Sequence, residues 1–240
     1  MMKKKKTPPR VLRKKSKKQF LILGGILTGL IIFISWCALN LPYFYLKDIQ
    51  IKGLRRLSSL EILQKIPASP HTSIFNLNLK QISRKILSEP MVKKVTVKRR
   101  LPSTLVIEIE ERSPFACVGK EGSFWEVDRE GVVLQKAEDM AGLTLIKGID
   151  PFNEKELLLK ALKALKFSRT INLEIKKIVI EKGARGILLQ LQGGVEVILG
   201  TSPNYRYLSY LPYIFEDARK RGERFNLIDL RFANQIIASF

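Results

Sequence analysis

Hydrophobic and polar positions change period several times along this chain, and each change marks an element. Residues 20–39, FLILGGILTGLIIFISWCAL, are twenty in a row without a charge. At 1.5 Å per residue a helix of that length crosses about 30 Å, the thickness of a bilayer's hydrocarbon core. The run exceeds the roughly 7 to 15 apolar residues of a cleaved signal, and no A-x-A site follows it. It therefore predicts a transmembrane helix, with the span placed at residues 20–41. Trp36, immediately before Cys37, is too bulky for a lipid-modification site. Gly25 and Gly29 form G-x-x-x-G, a spacing that membrane helices also carry without a specific partner.

Past the span the pattern is that of a folded module. Ile49 and Ile51 alternate with Gln50 and Lys52 as far as Gly53, a short half-buried strand. Ser58-x-x-Glu61 is a capping box before Ile62, Leu63 and Ile66, and Pro67 closes that helix. Asn78-x-x-Gln81 opens a second helix with Leu79, Ile82 and Ile86 on one face, ended by Pro90. Val95 and Val97 then alternate with Thr96 and Lys98, residues 101–103 turn, and Leu105, Ile107 and Ile109 alternate with Val106, Glu108 and Glu110. The predicted order is β-α-α-β-β over residues 46–114.

Residues 115–240 form a second, strand-rich stretch. FWEVDREGVVLQ alternates through a D-x-x-G turn at Asp128 to Gly131. Residues 153–170 are an amphipathic helix with Leu158, Leu162, Leu165 and Ile171 near one stripe. IKKIVIE, ILLQLQ and VEVILG read as three strands joined by glycine-containing turns, and residues 205–221 as another helix before NLIDLRFANQIIASF. The fold class is α+β behind one N-terminal transmembrane helix.

Charge sets the orientation expected of that helix. Of the 43 Lys and Arg residues, ten lie in residues 1–19 with no acid among them, which leaves 33 basic against 22 acidic residues in the rest. The positive-inside rule then puts the basic tail, residues 1–19, in the cytoplasm and about 200 residues outside. Trp36, Tyr43, Phe44 and Tyr45 stand at the far end of the span, where aromatics mark a membrane-water interface. No aromatic interrupts the tail's lysines to stack bases, so contact with anionic lipid explains the tail better than nucleic acid does.

LKDIQIKGLRRLS and SEPMVKKVTVKRRLPSTLVIEIEERSPFACV closely resemble the POTRA domain of the bacterial cell-division family FtsQ/DivIB. Pro90, Val92, Lys93, Arg99, Pro102, Thr104, Leu105, Ile107, Ile109, Glu111 and Arg112 stand at its motif positions. Met91 departs from the usual aromatic, an apolar gap that a methionine still fills. The order of residues 115–240 is similar to that family's β-domain, and Asp229-Leu230-Arg231-Phe232 matches its D-L-R-aromatic motif, with Asn234-Gln235 where Asn-Gly is common. The resemblance implies a divisome protein that binds the small coiled-coil partners FtsB and FtsL, links early and late division proteins and regulates septal peptidoglycan synthesis, from the inner membrane at the septum.

Residues 232–240 contain neither charge nor proline, the usual guards on an exposed edge strand. They are expected either to be an internal strand or to take a partner strand, and on the second reading Phe232, Asn234, Ile236 and Ala238 form the recognition row. No catalytic residue, cofactor or metal is expected. One His (His71) and two Cys (Cys37, Cys117) cannot build a metal cage or a histidine relay, and phosphate-loop, dinucleotide, nucleophile-elbow and zincin signatures are missing. Glu110 and Glu111 are adjacent on a strand and point to opposite faces, and Glu108 and Glu110 face solvent. A noncatalytic membrane scaffold is therefore favoured over an envelope hydrolase or a POTRA-based transport or outer-membrane-assembly chaperone.

Overall fold

The computed structural model describes residues 17–39, 42–67, 69, 71–140, 142–183, 185–232 and 235–239. Most of the basic tail thus lies outside the described residues. Helix α1 (Lys17–Leu39) contains the apolar run, and none of its window Phe20–Cys37 is buried against protein. It is long and apolar enough to cross a bilayer. Thr28, the polar side chain near its middle, donates its hydroxyl to the Gly24 carbonyl (2.6 Å), so the group needs no water there.

The first module places β1 (Asp48–Lys52), α2 (Ser59–Gln64), α3 (Leu79–Leu87), β2 (Val92–Arg100) and β3 (Thr104–Glu111) in the expected order. Its sheet runs β1-β3-β2, with β1 parallel and β2 antiparallel to the central β3. Ser58 and Glu61 form the capping box, and the Asn78 side chain accepts from the Gln81 N–H. Ile62, Ile82 and Ile86 from the helices meet Leu105 and Ile107 in one core from which water is excluded. Val106, on the opposite face, is buried too, because β3 lies between two strands; Glu108 and Glu110 point outwards. Gly53 is obligatory: at φ +89° a Cβ would fall 2.0 Å from the Ile109 carbonyl oxygen.

The second module is one nine-stranded sheet with two helical connections. Its strands are β4 (Ala116–Lys120), β5 (Ser123–Val127), β6 (Val133–Lys136), β7 (Thr144–Lys147), β8 (Ile175–Ile180), β9 (Ile187–Leu191), β10 (Glu196–Gly200), β11 (Leu227–Asp229) and β12 (Ile237–Ser239), in the spatial order β12-β11-β10-β9-β8-β7-β4-β5-β6. Parallel neighbours require a crossover. Accordingly α4 (Lys155–Thr170) joins β7 to β8, and α5 (Leu211–Arg221) joins β10 to β11. Leu158, Leu162 and Leu165 of α4 bury their stripe on Ile146, Ile178 and Leu189 of the sheet.

Two features depart from the sequence reading. Strands β4 and β7 were not anticipated; β4 is buried on both faces at Ala116 to Val118 and so lacks alternation, and β7 is four residues long, with the buried Thr144 and Ile146 unlike in polarity. Residues 205–221 are not one α-helix but a 3-10 segment, Tyr205–Tyr210, followed by α5. Pro212 in the first turn has no N–H to continue a ladder from the preceding residues, so the α-helix starts there.

Side chains from the end of β3 and from the β1–α2 connection hold the two modules together. Glu111 accepts the backbone N–H groups of Arg55, Arg56 and Leu57 at 2.9–3.1 Å. Arg56 reaches into the second module and grips Glu126 with two hydrogen bonds of 2.9 and 3.0 Å. Arg112 bonds Asp128 and Glu130 of the D-x-x-G turn, whose form is set by Asp128 accepting from the N–H groups of Glu130 and Val132. The hydrogen bond to Glu126 raises the Arg56 pKa, outweighing the opposite effect of burial.

Two predictions follow from this packing. Ile107→Asp buries an unpaired carboxylate and should lower stability by several kcal/mol, at least ~3, whereas Glu108→Ala should be near neutral; thermal unfolding of the full chain in detergent reads both. Glu126 is only 5% exposed, so Arg56→Ala leaves a buried charge and should cost about 1–3 kcal/mol, less than for a wholly buried pair because Arg56 is partly solvated. A double-mutant cycle with Glu126→Gln should return most of that cost as coupling.

Candidate functional site

The C-terminal edge of the nine-stranded sheet is built around Asp229. Leu230 is buried and its N–H donates to the Ile198 carbonyl (2.9 Å), which extends the β10–β11 pairing. The Asp229 carboxylate accepts the backbone N–H of Arg231 (3.0 Å), its Nε (3.0 Å) and a terminal guanidinium N–H (2.6 Å). Burial alone would raise the Asp229 pKa, but these hydrogen bonds more than compensate and hold it below the ordinary value. The same contact raises the Arg231 pKa.

Gly200 makes room for this corner. Its φ is +77°, and a Cβ there would come within 2.9 Å of Arg231 Cγ, so the arginine stem lies directly across a bare backbone. The guanidinium then sits 5.5 Å from the Phe232 ring centroid, a cation–π contact. Ordered in this way, the chain leaves β11 and returns as β12.

β12 runs antiparallel to β11, with Ile228 opposite Ala238 and Asp229 opposite Ile237. The Asn226 N–H donates to the Ser239 carbonyl (2.9 Å) at the far end of the pair. In the sheet order β12 is terminal, and among the described residues no strand pairs with its outer side. A cleft of about 710 Å³, lined in part by Val195, Phe215, Ala218 and Phe225, opens beside the start of β11. At the other end of the sheet β6 carries Lys136, and its pairing with β5 is interrupted by a register shift. Both devices discourage further pairing; β12, Ile-Ala-Ser, has neither.

The four residues expected to form one recognition row are distributed differently. Phe232 (44% exposed) lies in the bend after β11, and Ile236 (38%) precedes β12. Ala238 is the member within the strand, and it packs inwards on the core while Ile237 (51%) and Ser239 face solvent. Asn234 lies outside the described residues. The expected row assumed one extended segment from residue 232, whereas Phe232 is in a bend and the strand begins at Ile237. Ile237 and Gly200 were missed; the small Ala238 between two larger exposed positions was the available signal for the first.

Residues 44–112 match the family model for the POTRA domain, FtsQ-type, and residues 116–231 match the model for the cell division protein FtsQ/DivIB, C-terminal. A cell division protein FtsQ from Geobacter sp. strain M21 is 30% identical over 231 residues, covering 89% of this chain and 84% of that protein. The chain belongs to the FtsQ/DivIB family. The Clostridium acetobutylicum cell division protein DivIB is 30% identical over 116 residues, which span 48% of this chain and 46% of that protein. The major extracytoplasmic domain of Geobacillus stearothermophilus DivIB aligns with 48% of this chain and 99% of its own length, at 15% identity and a TM-score of 0.36. Membership makes this a cell-division protein, and α1 fits the membrane anchoring of such a chain. The match to the family's C-terminal model runs to Arg231, so it includes the Asp229–Arg231 pair.

The Asp229–Arg231 pair makes a pH-dependent prediction. A carboxylate whose folded pKa is depressed contributes stability above its unfolded value, here 3.8, and loses it as pH falls through the lower folded value. Asp229→Asn should therefore be less stable than the parent by about 1–2 kcal/mol at neutral pH, and the difference should narrow below pH 3.8. Urea midpoints at neutral and acid pH measure this; a gap independent of pH would mean that the charge of Asp229 is not what stabilises the corner.

Proposed function

We propose that this chain is a noncatalytic, single-span scaffold of the divisome whose open β12 edge takes a strand from an FtsB/FtsL-like partner. In this reading the tail is cytoplasmic, both folded modules are extracytoplasmic, and the protein acts at the septum, linking early and late division proteins and regulating septal peptidoglycan synthesis. The observation that carries the partner assignment is the contrast within one sheet between the guarded β6 and the unguarded β12. An added strand gains backbone hydrogen bonds along β12 and takes its specificity from side chains at the edge. Ile237, Phe232 and Ile236 supply exposed apolar surface there. Orientation rests on the ten basic residues before the span.

Successive N–H groups of a strand point to opposite sides, so of Ile237→Pro and Ala238→Pro one removes a donor facing the partner and the other a donor facing β11. Both variants, and a chain lacking residues 236–240, should lose partner binding while membrane insertion and the first module's unfolding transition stay as in the parent. Affinity for an FtsB-like periplasmic segment, measured by calorimetry, decides it; undiminished binding in all three would remove the site from this edge. A periplasm-dependent reporter fused after Phe240 should be active, and activity of a cytoplasm-dependent reporter instead would reverse the orientation.

A further inference from the structure

The face of the first module that receives the chain from α1 has the composition of a membrane-contact surface. Only residues 40–43 separate the end of α1 from Phe44, and Phe44 already belongs to the module. Its carbonyl accepts from the Ile74 N–H (2.8 Å), and its ring lies 5.2 Å from that of Phe75. The Leu46 N–H donates to the Thr72 carbonyl (2.9 Å), and the N–H groups of Lys47 and Asp48 both donate to the Ser103 carbonyl (2.9 and 3.3 Å). Four residues span at most about 14 Å even when fully extended. The segments 44–48 and 71–77 and the β2–β3 turn are thereby tethered at the depth of the headgroups into which α1 emerges.

That turn presents Leu101 at its tip, 57% exposed, and the tether presents Tyr43, 62% exposed. Lys47, bonded through its N–H to the turn at Ser103, and Arg100, next to Leu101 in the chain, are exposed, as is Lys98 further along β2. Arg100 is steadied by Gln50 (3.0 Å), Lys98 lies 3.3 Å from Glu108, and Asp48 accepts from Gln50 (2.9 Å). Arg99 turns back instead, donating to the carbonyls of Ile74 (2.6 Å) and Leu77 (2.7 Å), which makes the turn and the 74–77 segment one rigid face. An exposed apolar tip with cations beside it, on the face that also carries the exposed Tyr43, is the chemistry of a surface seated among anionic headgroups.

We infer that the β2–β3 turn, with Leu101 at its tip and Arg100 and Lys47 beside it, docks on anionic phospholipid of the leaflet from which α1 emerges and fixes the first module's orientation to the membrane. The inference requires that α1 spans the bilayer and is independent of which side the modules occupy and of any partner at β12.

The test uses the full chain reconstituted in phosphatidylcholine vesicles, with and without phosphatidylglycerol. An environment-sensitive fluorophore is attached through Leu101→Cys, or through the control Ser202→Cys in an exposed loop of the second module, each in a Cys37→Ser background; Cys117 is buried. Headgroup-proximal spin-labelled lipid should quench position 101 and not position 202, more strongly with phosphatidylglycerol present and less in about 0.5 M salt. Arg100→Gln should lower the docked-to-free ratio about fivefold. Amide exchange of Leu101 and Ser103 in the unlabelled chain, slowed by phosphatidylglycerol, gives a second reading free of the fluorophore. Equal quenching at 101 and 202, or quenching and exchange indifferent to phosphatidylglycerol, salt and Arg100→Gln, would overturn the inference.

Discussion

Backbone hydrogen bonding across the nine-stranded sheet is the constraint from which the rest of the second module follows. Every interior strand finds donors and acceptors on both sides, and the parallel pairs oblige α4 and α5 to cross the sheet, which brings the Leu158, Leu162 and Leu165 stripe onto Ile178 and Leu189. A finite open sheet must end somewhere, and its two ends are treated differently here. β6 ends in Lys136 beside a register shift, whereas β12 ends in an uncharged three-residue strand. Asp229 both pairs with Ile237 of β12 and holds Arg231 over Gly200, so the corner and the edge share a residue.

A second set of contacts carries order from the membrane outwards. Phe44 and Leu46 bind the module immediately after the span, Lys47 and Asp48 share the Ser103 carbonyl, and at the opposite end of β3 Glu111 gathers three backbone N–H groups while Arg112 grips the Asp128 turn. With Arg56 bound to the buried Glu126, charged hydrogen bonds join the two modules, whose buried apolar cores are separate clusters among the described residues. Such contacts are geometrically specific and leave an uncompensated charge when one partner is removed. On the proposed scaffold role this would matter more than raw stability, since the position of a binding edge relative to the membrane would decide which partners can reach it.

Much of this was legible in the sequence where one face of an element meets water. The alternation at Leu105, Ile107 and Ile109, the capping residues Ser58 and Asn78, and the α4 stripe all placed their elements correctly, because burial on one side leaves a periodic trace. β4 and β7 left none: Ala116 to Val118 of β4 are covered on both faces, and Thr-Leu-Ile-Lys of β7 is too short and too mixed for its one buried face to show as a period. Long-range contacts were equally silent. Glu111 and Arg112 could be matched to a family pattern, but nothing local says that one binds the backbone of residues 55–57 and the other the Asp128 turn. In the sequence Gly200 is only the last residue of the VEVILG strand, and the fold alone reveals Arg231 lying across it.

The outer side of β12 is proposed to be a pairing edge, and amide hydrogen exchange of the full chain reads that side directly. On adding an FtsB-like segment, the outward-facing N–H groups within residues 237–239 should slow strongly, while those of β6, the guarded edge of the same sheet, should not change. Unchanged exchange in β12 under conditions where the segment is bound would contradict it.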